Sequence, residues 1–395
     1  MSLKVAISGG GIGGLGAALA LSRAGQKVEL FEKATAFSDI GAGIQLGPNV
    51  TRILQAWGLL DALRSLAVAP ERLQVRSATT GGVLGELRLG DAMAARYSAP
   101  YLTLHRADLH ACLLEAVQQA IGQRSAVLHV GRVVQSFQQT LQVVSVQTSD
   151  SVQDFDALIG ADGLWSNSRQ QLLNDGAPHR TGHLAYRALI KQSEMPERLR
   201  SQNVTAWLGP KMHAVQYPVR HCEWLNVVVF VHGDVPDDFQ NWNHSANAAD
   251  LLTQLAGCCP ALQDTVHAAP HWRLWVMHDR PPMQGSQQMA QGRVVLLGDA
   301  AHPMRPYLAQ GAGMAIEDAA ELGGALHGIT SQNVSAALQS YAANRWQRNA
   351  RVQARALRNG QIFHATGLVR WGRDVAMKAA GGRLLDMPWL YGFGG

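Results

Sequence analysis

Cysteine is scarce in this chain of 395 residues. There are four, Cys112, Cys222, Cys258 and Cys259, with no CxxC pair and no regular spacing. That excludes a disulfide-stapled scaffold and a zinc finger, and leaves reduced thiols in a cytoplasmic setting as the expectation. Charge is also sparse. Charged residues make up 16% against 47% hydrophobic ones, which excludes a disordered chain and permits a large core. Lysine supplies only six of the 34 basic residues. Long apolar runs are missing with one exception, the uncharged stretch from Val5 to Ser22, and six of its residues are glycine. So many glycines break an apolar helix, so we read a turn there, not a signal peptide or a membrane anchor. No stable membrane insertion is expected. The length suits two or three domains, or one large α/β enzyme.

What is present begins with those glycines. Leu3 to Ser8 is β-prone, Gly9-Gly10-Gly11-Ile12-Gly13-Gly14 follows, and Leu15 to Arg23 reads as a helix with Gly25 at its C-cap. Lys27 to Phe31 is a second strand closed by Glu32. This is a βαβ unit with G-x-G-x-x-G at Gly9, Gly11 and Gly14 and an acid 18 residues later. Gly9 permits the tight turn, Gly11 lets a pyrophosphate approach the backbone, and Gly14 lets helix and strand pack closely. The helix N-terminus offers N–H groups and a positive dipole end to phosphates. Glu32 can accept from ribose hydroxyls. The motif implies a dinucleotide without separating NAD(P) from FAD.

Two later segments run a strand into an acidic turn. Phe155 to Gly163 carries Asp162 and is followed by Ser166 and Arg169. Arg293 to Pro303 carries Asp299 and is followed by Gly311-Ala312-Gly313-Met314, which opens a helix. Asp299 can hydrogen-bond a ribityl or ribose hydroxyl. The helix would aim its positive end at the negative charge a reduced flavin develops near N1 and C2=O.

On these residues the chain resembles the class A flavoprotein monooxygenases. The resemblance continues through Gly41 to Asn49, similar to the family's loop beside the isoalloxazine, through His105-Arg106-Ala107-Asp108-Leu109, and through Trp389-Leu390-Tyr391-Gly392-Phe393. It spans essentially the whole chain. It implies FAD as cofactor, with Glu32, Arg106 and Asp299 as contacts, NADH or NADPH as a transient reductant and O2 as co-substrate. Further cofactor contacts are expected from Gly9, Gly11, Ile12, Gly13, Gly14, Lys33, Gln45, Asp162, Pro306, Gly311, Ala312, Gly313 and Met314. The fold expected is α/β. A discontinuous Rossmann-like FAD domain would comprise residues 1–70, 101–175 and 276–340. A mixed β-sheet substrate domain would comprise 71–100 and 176–275, and a C-terminal helical region 341–395.

His213, Val215 and Tyr217 alternate along a β-prone run and so would share one face of a strand. An imidazole, an apolar spacer and a phenol in a row suit hydroxylation of a phenol, where ionising the substrate hydroxyl makes the ring electron-rich. Histidine is the natural base at neutral pH. The plainer alternative is a core or surface histidine, one of fifteen. The run Gly209-Pro210-x-x-His213-x-x-x-Tyr217-Pro218 resembles the family's substrate strand, which implies that His213 and Tyr217 act on the phenol and that Val215 and Tyr307 line the substrate. Where this chain has Pro306, the family's 3-hydroxybenzoate 6-hydroxylases tend to carry glutamine. Where it has Gln45 and Tyr307, the 6-hydroxynicotinate hydroxylases tend to carry histidine. His302 reads as structural, and Arg187 and Arg305 as partners in structural ion pairs in preference to substrate ligands. No metal site is expected.

Arg345, Arg348, Arg351, Arg355 and Arg358 fall on one helical face. The stripe reads as a solvated face or a set of ion-pair partners in preference to a polyanion or membrane site, because no nucleic-acid motif accompanies it. The function expected is an FAD-dependent, NAD(P)H-consuming monooxygenase acting on a small phenolic aromatic acid, salicylate-like, with 3-hydroxybenzoate and hydroxynicotinate as alternatives. A flavin oxidase or dehydrogenase and a non-catalytic dinucleotide-binding protein are the more distant alternatives. No nucleic-acid partner is expected, and a homodimer is compatible with the sequence.

Overall fold

The computed structural model describes residues 2–37, 42–122, 125–233 and 244–394. Gly41, part of the expected flavin loop, lies outside the described residues. The chain divides into two compact units. One comprises Met1–Asp39, Leu109–His179 and Asp279–Ala356, the other Ile40–Asp108, Arg180–His278 and Leu357–Gly395.

The first unit is built on a six-stranded sheet. Lys4–Ser8 pairs in parallel with Lys27–Glu32 on one side and Ala157–Gly160 on the other. A strand with parallel neighbours and both faces covered reads as a continuous apolar run, and Val5, Ala6 and Ile7 are fully buried. Val294–Leu296 and Ala126–Val130 extend the sheet, and Ala290–Gln291 adds an antiparallel edge. A small antiparallel sheet of Ser136–Gln139, Val144–Gln147 and Val152–Phe155 packs its Phe155 edge-on against Phe31 at 6.1 Å. The helix Ile12–Arg23 lies so close to the helix Gly311–Ala325 that a Cβ on Gly323 would come within 2.9 Å of the Ala20 Cβ. Just past the first helix, the buried Gln26 side chain accepts from Leu3 N at 2.7 Å and donates to Leu326 O at 2.6 Å.

The arginine stripe lies on the helix Val334–Phe363. It is not a solvated face throughout. Arg345 is 1% exposed and pairs with Glu317 at 2.9 Å and Asp318 at 2.8 Å, and Arg348 grips Glu317 with two bonds of 2.6 and 2.7 Å. Arg351 and Arg358, further along, are exposed.

The second unit holds an eight-stranded mixed sheet. Its order is His244–Ala246, Trp272–Asp279, His179–Lys191, Trp224–His232, Met212–Val219, Val204–Gly209, Arg72–Ser77 and Val83–Arg88. Val204–Gly209 runs parallel to Arg72–Ser77. Met212, Ala214, Leu225, Val227 and Val229 form one face with Leu251, Leu262 and Val266 of the helices Ala248–Gln254 and Pro260–His267. Each of these side chains larger than alanine contributes roughly 1.5–3 kcal/mol on burial. Because side chains alternate, His213, Val215 and Tyr217 point to the opposite face.

The units are cut differently from the expected domains over 40–70 and 101–108, which fall with the mixed sheet, and over the expected C-terminal region 341–395, which divides after Ala356. The physical reason for the first difference is a second small sheet, Gly43–Leu46 against Leu102–His105. It is tied to the large one where Gly43 N donates to Asn226 Oδ1 at 2.7 Å and Thr103 Oγ1 donates to Pro218 O at 2.6 Å.

Candidate active site

In the first unit, the strand Lys4–Ser8 ends at Gly9, whose φ of +104° suits glycine. A Cβ there would sit 2.4 Å from Ala161 O, and one on Gly14 would sit 1.8 Å from Gly9 O. At Gly11 the same construction meets nothing within 4 Å. The first and third glycines are therefore required by the protein's own packing, while the second leaves open space over the loop. No side chain caps the helix Ile12–Arg23 at Gly11, so its first-turn N–H groups suit an anion. Ile12 is buried and Gly13 half-buried on that turn. Glu32 ends the second strand and braces the loop, accepting from Gly10 N at 2.7 Å and from Ala34 N at 2.8 Å. A carboxylate has about four lone-pair sites, so two bonds do not exhaust it. Lys33 beside it is exposed.

The other expected cofactor residues of this unit collect at the ends of neighbouring strands. Asp299 is exposed on the turn Gly298–Ala300, which follows Val294–Leu296. The helix Gly311–Ala325 also starts without a side-chain cap, with Gly311, Ala312 and Gly313 on its first turn. Met314 follows them on the same helix. Its N–H donates to Gln310 O at 2.8 Å and its side chain is fully buried, so it builds the helix and has no N–H to offer a ligand. Asp162 likewise has local duties, accepting from Ser166 Oγ at 2.5 Å and from Ser168 N and Oγ at 3.0 Å each. Arg169 donates to the carbonyls of Ala300 and Ala301 at 3.1 and 2.6 Å and so ties this turn to the Asp299 turn.

Beneath the Asp299 turn lies a buried polar knot. Asp318 meets His302 Nε2 at 2.5 Å, Arg345 Nε at 2.8 Å, Asn349 Nδ2 at 2.9 Å and Gly298 N at 3.1 Å. Burial alone would raise its carboxyl, but His302 and Arg345 overcome that and hold it well below the usual carboxylate range. His302 thus has the structural place expected of it. Arg305 pairs with Asp279 at 2.7 Å, also as a structural pair. Pro306 and Tyr307 lie on the turn Pro306–Leu308, Pro306 half-buried and Tyr307 buried.

In the second unit, Tyr217 is buried, and burial pushes its phenol well above the ordinary value although Arg187 and Gln45 pull it back. Gln45 also accepts from Tyr101 Oη at 2.6 Å. A Cβ on Gly43 would lie 2.5 Å from Tyr217 Cε2, so the glycine lets the Gly43–Leu46 strand cover this tyrosine. Val215, half-buried, sits one step along the same face. Arg106 opens the helix Arg106–Gly122, and its N–H donates to Ala42 O at 3.0 Å.

Arg187 departs from the ion pair expected of it. Its register partner is Val228, which itself pairs with Val215. The guanidinium lies 3.5 Å from the Trp275 ring centroid. Among the described residues no carboxylate pairs with it, and its Nε is shut off from solvent without a hydrogen bond. Burial lowers its pKa to about 10, Tyr217 opposing and the nearby Arg106 adding to the effect.

His213 stacks on Phe230 at 4.5 Å and 15°. Its Nδ1 is 2.6 Å from His364 Nε2, and His364 Nδ1 is 2.8 Å from His232 Nε2. His183 stacks on His232 at 4.4 Å. His183, His232 and His364 each bring one ring nitrogen within 4.8 Å of the others. Burial pushes His213 well below the ordinary imidazole pKa, and His364 and His183 push the same way.

Comparison with known proteins agrees with this geometry. The family model described as FAD binding domain matches residues 2–356. The chain is 37% identical over 394 residues to a 3-hydroxybenzoate 6-hydroxylase of Polaromonas naphthalenivorans (strain CJ2), covering 99% of this chain and 96% of the relative. It is 35% identical over 356 residues to a 6-hydroxynicotinate 3-monooxygenase of Bordetella bronchiseptica, covering 89% of each. The chain belongs to the FAD-binding aromatic hydroxylases. A salicylate hydroxylase in complex with substrate shares the fold with a TM-score of 0.83 and 25% identity, over 99% of this chain and 96% of that one.

The hydroxylase is an FAD enzyme that uses NAD(P)H and O2. Its residues fit the cofactor, since an open glycine and two uncapped helix starts stand at the strand ends where a dinucleotide is held. Several residues of the hydroxylase are barely marked in its sequence. His110 Nε2 lies 2.8 Å from Gly10 O, and only its place just past the Arg106 motif pointed to it. Trp275, His183, His232 and His364 carried no local signal, because tertiary pairing alone assembles them.

Proposed function

We propose that this hydroxylase acts on a phenolic aromatic acid, salicylate or a 3-hydroxybenzoate, and that Arg187 receives the substrate carboxylate. The observation that carries the reading is a guanidinium stacked on Trp275 with no carboxylate partner among the described residues. It remains a cation at pH 7, and a cation so placed gains most from an anion that arrives with its own hydrogen-bond acceptors. Two strand spacings of about 4.8 Å separate the Arg187 and Val215 strands, a span that a benzoate and two side chains bridge. Val215 supports the ring, and Tyr217, held neutral, donates to or orients the phenolic oxygen. His213 takes the phenolic proton. Bound FAD, reduced by NAD(P)H, supplies the electrons that activate O2 for insertion of one oxygen atom. Exclusion of water from the face that carries Val215 and Val228 favours that outcome over loss of hydrogen peroxide. The relatives named for 3-hydroxybenzoate and 6-hydroxynicotinate support an acid substrate, while Gln45, Pro306 and Tyr307 depart from those subtypes and leave the ring position to experiment. The four free cysteines favour a reducing, cytoplasmic setting.

The test is a panel of hydroxybenzoates and hydroxypyridine carboxylates against their decarboxylated counterparts. NAD(P)H oxidation should speed up with an acid, and the product should gain one oxygen. Reductant consumption without an oxygenated product from every acid would sink the reading and leave an oxidase. In parallel, His213→Ala should lose coupled hydroxylation, and an unchanged rate and pH profile would remove it as the base.

A further inference from the structure

A base buried as deeply as His213 has to dispose of the proton it takes. It is 1% exposed, and the titratable groups set around it and its partner are His364, His183 from the strand His179–Lys191, and His232 from the strand Trp224–His232. Phe230 and Phe363 flank its ring. All of these disfavour a cation that stays on His213. The ring-nitrogen separations of 2.6 and 2.8 Å are hydrogen-bond lengths. Two imidazoles on one tetrahedral ion, with metal–nitrogen bonds of about 2.0–2.1 Å, would stand about 3.3 Å apart. The spacing therefore suits shared protons more than a shared cation. Exposure also rises along the series, from His213 through His364 at 6% to the exposed His232. The main chain fixes the middle member, with Lys211 N donating to His364 O at 3.1 Å and His232 N donating to Lys211 O at 3.2 Å.

We propose that His213, His364 and His232 form a hydrogen-bonded chain that carries the phenolic proton from the substrate to solvent. The proposal rests on the reading of His213 as the base. Before transfer, each ring carries its proton on the nitrogen facing outward along the chain: His213 on Nδ1, His364 on Nδ1, and His232 on Nδ1. The substrate O–H bond breaks and a new N–H bond forms at His213 Nε2. The His213 Nδ1 proton passes to His364 Nε2, and the His364 Nδ1 proton passes to His232 Nε2. His232 is left as an imidazolium at the surface and gives its Nδ1 proton to water. One proton leaves the substrate and one reaches solvent, with no change in oxidation state. His364 and His232 act through His213 and are positioning residues. The three imidazoles must then be returned to their starting tautomers, which ring rotation of the exposed His232 allows to begin from the solvent end.

The experiment uses the full-length FAD-loaded enzyme with a hydroxybenzoate substrate. His364→Phe and His232→Asn should leave KM within about twofold but lower kcat by about ten- to a hundredfold, less than the roughly 10²–10⁴-fold of a complete general acid–base step because His213 itself remains. The solvent deuterium isotope effect on kcat should grow, and the pH profile should shift. Added imidazole should restore part of the rate in His232→Asn, whose gap opens to solvent. His364→Gln, which keeps a hydrogen-bonding side chain of similar reach, guards against misfolding; its flavin content and melting temperature should match wild type while kcat still falls. If His213→Ala keeps the wild-type coupled rate, the base reading fails and the chain fails with it. If His213→Ala loses the rate but the His364 and His232 variants keep wild-type kcat, isotope effect and pH profile, the chain is overturned and the base stands. Stoichiometric Zn2+ binding that is abolished by His232→Asn, with the wild-type kcat raised by a chelator, would also overturn it, making the cluster a cation site.

Discussion

Replacing Arg187 by Met separates a substrate anchor from a structural cation more sharply than any other single change. Burial brings the pKa of the guanidinium down to about 10. That corresponds to at most about 3 kcal/mol against the charged form at pH 7, a destabilising contribution that exists below pH 10 and fades above it. Met keeps the volume over the Trp275 ring and removes the charge. A structural ion pair broken this way would cost about 3–5 kcal/mol of stability. Here no such pair exists among the described residues, so the variant should unfold at the same or a higher urea concentration than wild type. Binding should move in the opposite sense. A charge-assisted bond to a carboxylate contributes roughly 1.5–3 kcal/mol, so the Kd for a hydroxybenzoate should rise about ten- to two-hundredfold. The matching phenol without its carboxylate should bind equally to both proteins. For wild type, benzoate affinity should also weaken as pH rises through about 10. Flavin-fluorescence titrations of both ligands, with urea unfolding alongside, provide the numbers. Equal loss of affinity for acid and phenol, or a variant less stable by several kcal/mol, would refute the assignment.

Other perturbations follow from contacts already described. Gly14→Ala places a Cβ 1.8 Å from Gly9 O, so purified protein should carry little flavin absorbance while Gly11→Ala, which meets no protein atom, should lose affinity through the cofactor alone. Gly43→Ala, pressing on Tyr217 at 2.5 Å, should cost about 1–3 kcal/mol in thermal unfolding and raise KM for the aromatic acid. Asp318→Asn should destabilise by about 3–5 kcal/mol, since it leaves Arg345 short of its buried counter-charge. Because the Asp318 carboxyl is held below its unfolded value, its contribution is full above the ordinary carboxylate range and is lost as pH falls through the depressed folded value. Acid unfolding of wild type should therefore show a stability increment that is missing from the variant.

Legibility from sequence tracked how local each feature is. The Gly9–Glu32 unit was readable because strand, turn, helix and acid lie within one short segment, and the close contacts of Gly9 and Gly14 give those residues the jobs their spacing implied. The shared face of His213, Val215 and Tyr217 was readable because a strand has a period of two. The histidine cluster was not, since it joins the Met212–Val219 strand to a residue 151 positions away. Arg187 misled for a related reason. A lone arginine in a sequence is most simply paired with some acid, and only the assembled sheet shows that Trp275 faces it instead. Asp162 and Met314 belong to motifs, and motif membership does not say which of their atoms the protein's own contacts engage.

The bond from Gln26 to Leu326 has a bearing on how the enzyme comes into being. One amide side chain joins the start of the sheet, at Leu3, to a carbonyl 300 residues further along the chain. The central strand likewise waits for Ala157–Gly160, and that strand for Val294–Leu296. Contacts of such high sequence separation form late, after much loop-closure entropy has been lost. The glycine loop, although written in the first fifteen residues, sits on a sheet that is complete only once Val294–Leu296 has been made. Nascent chains stalled short of that point should not retain flavin.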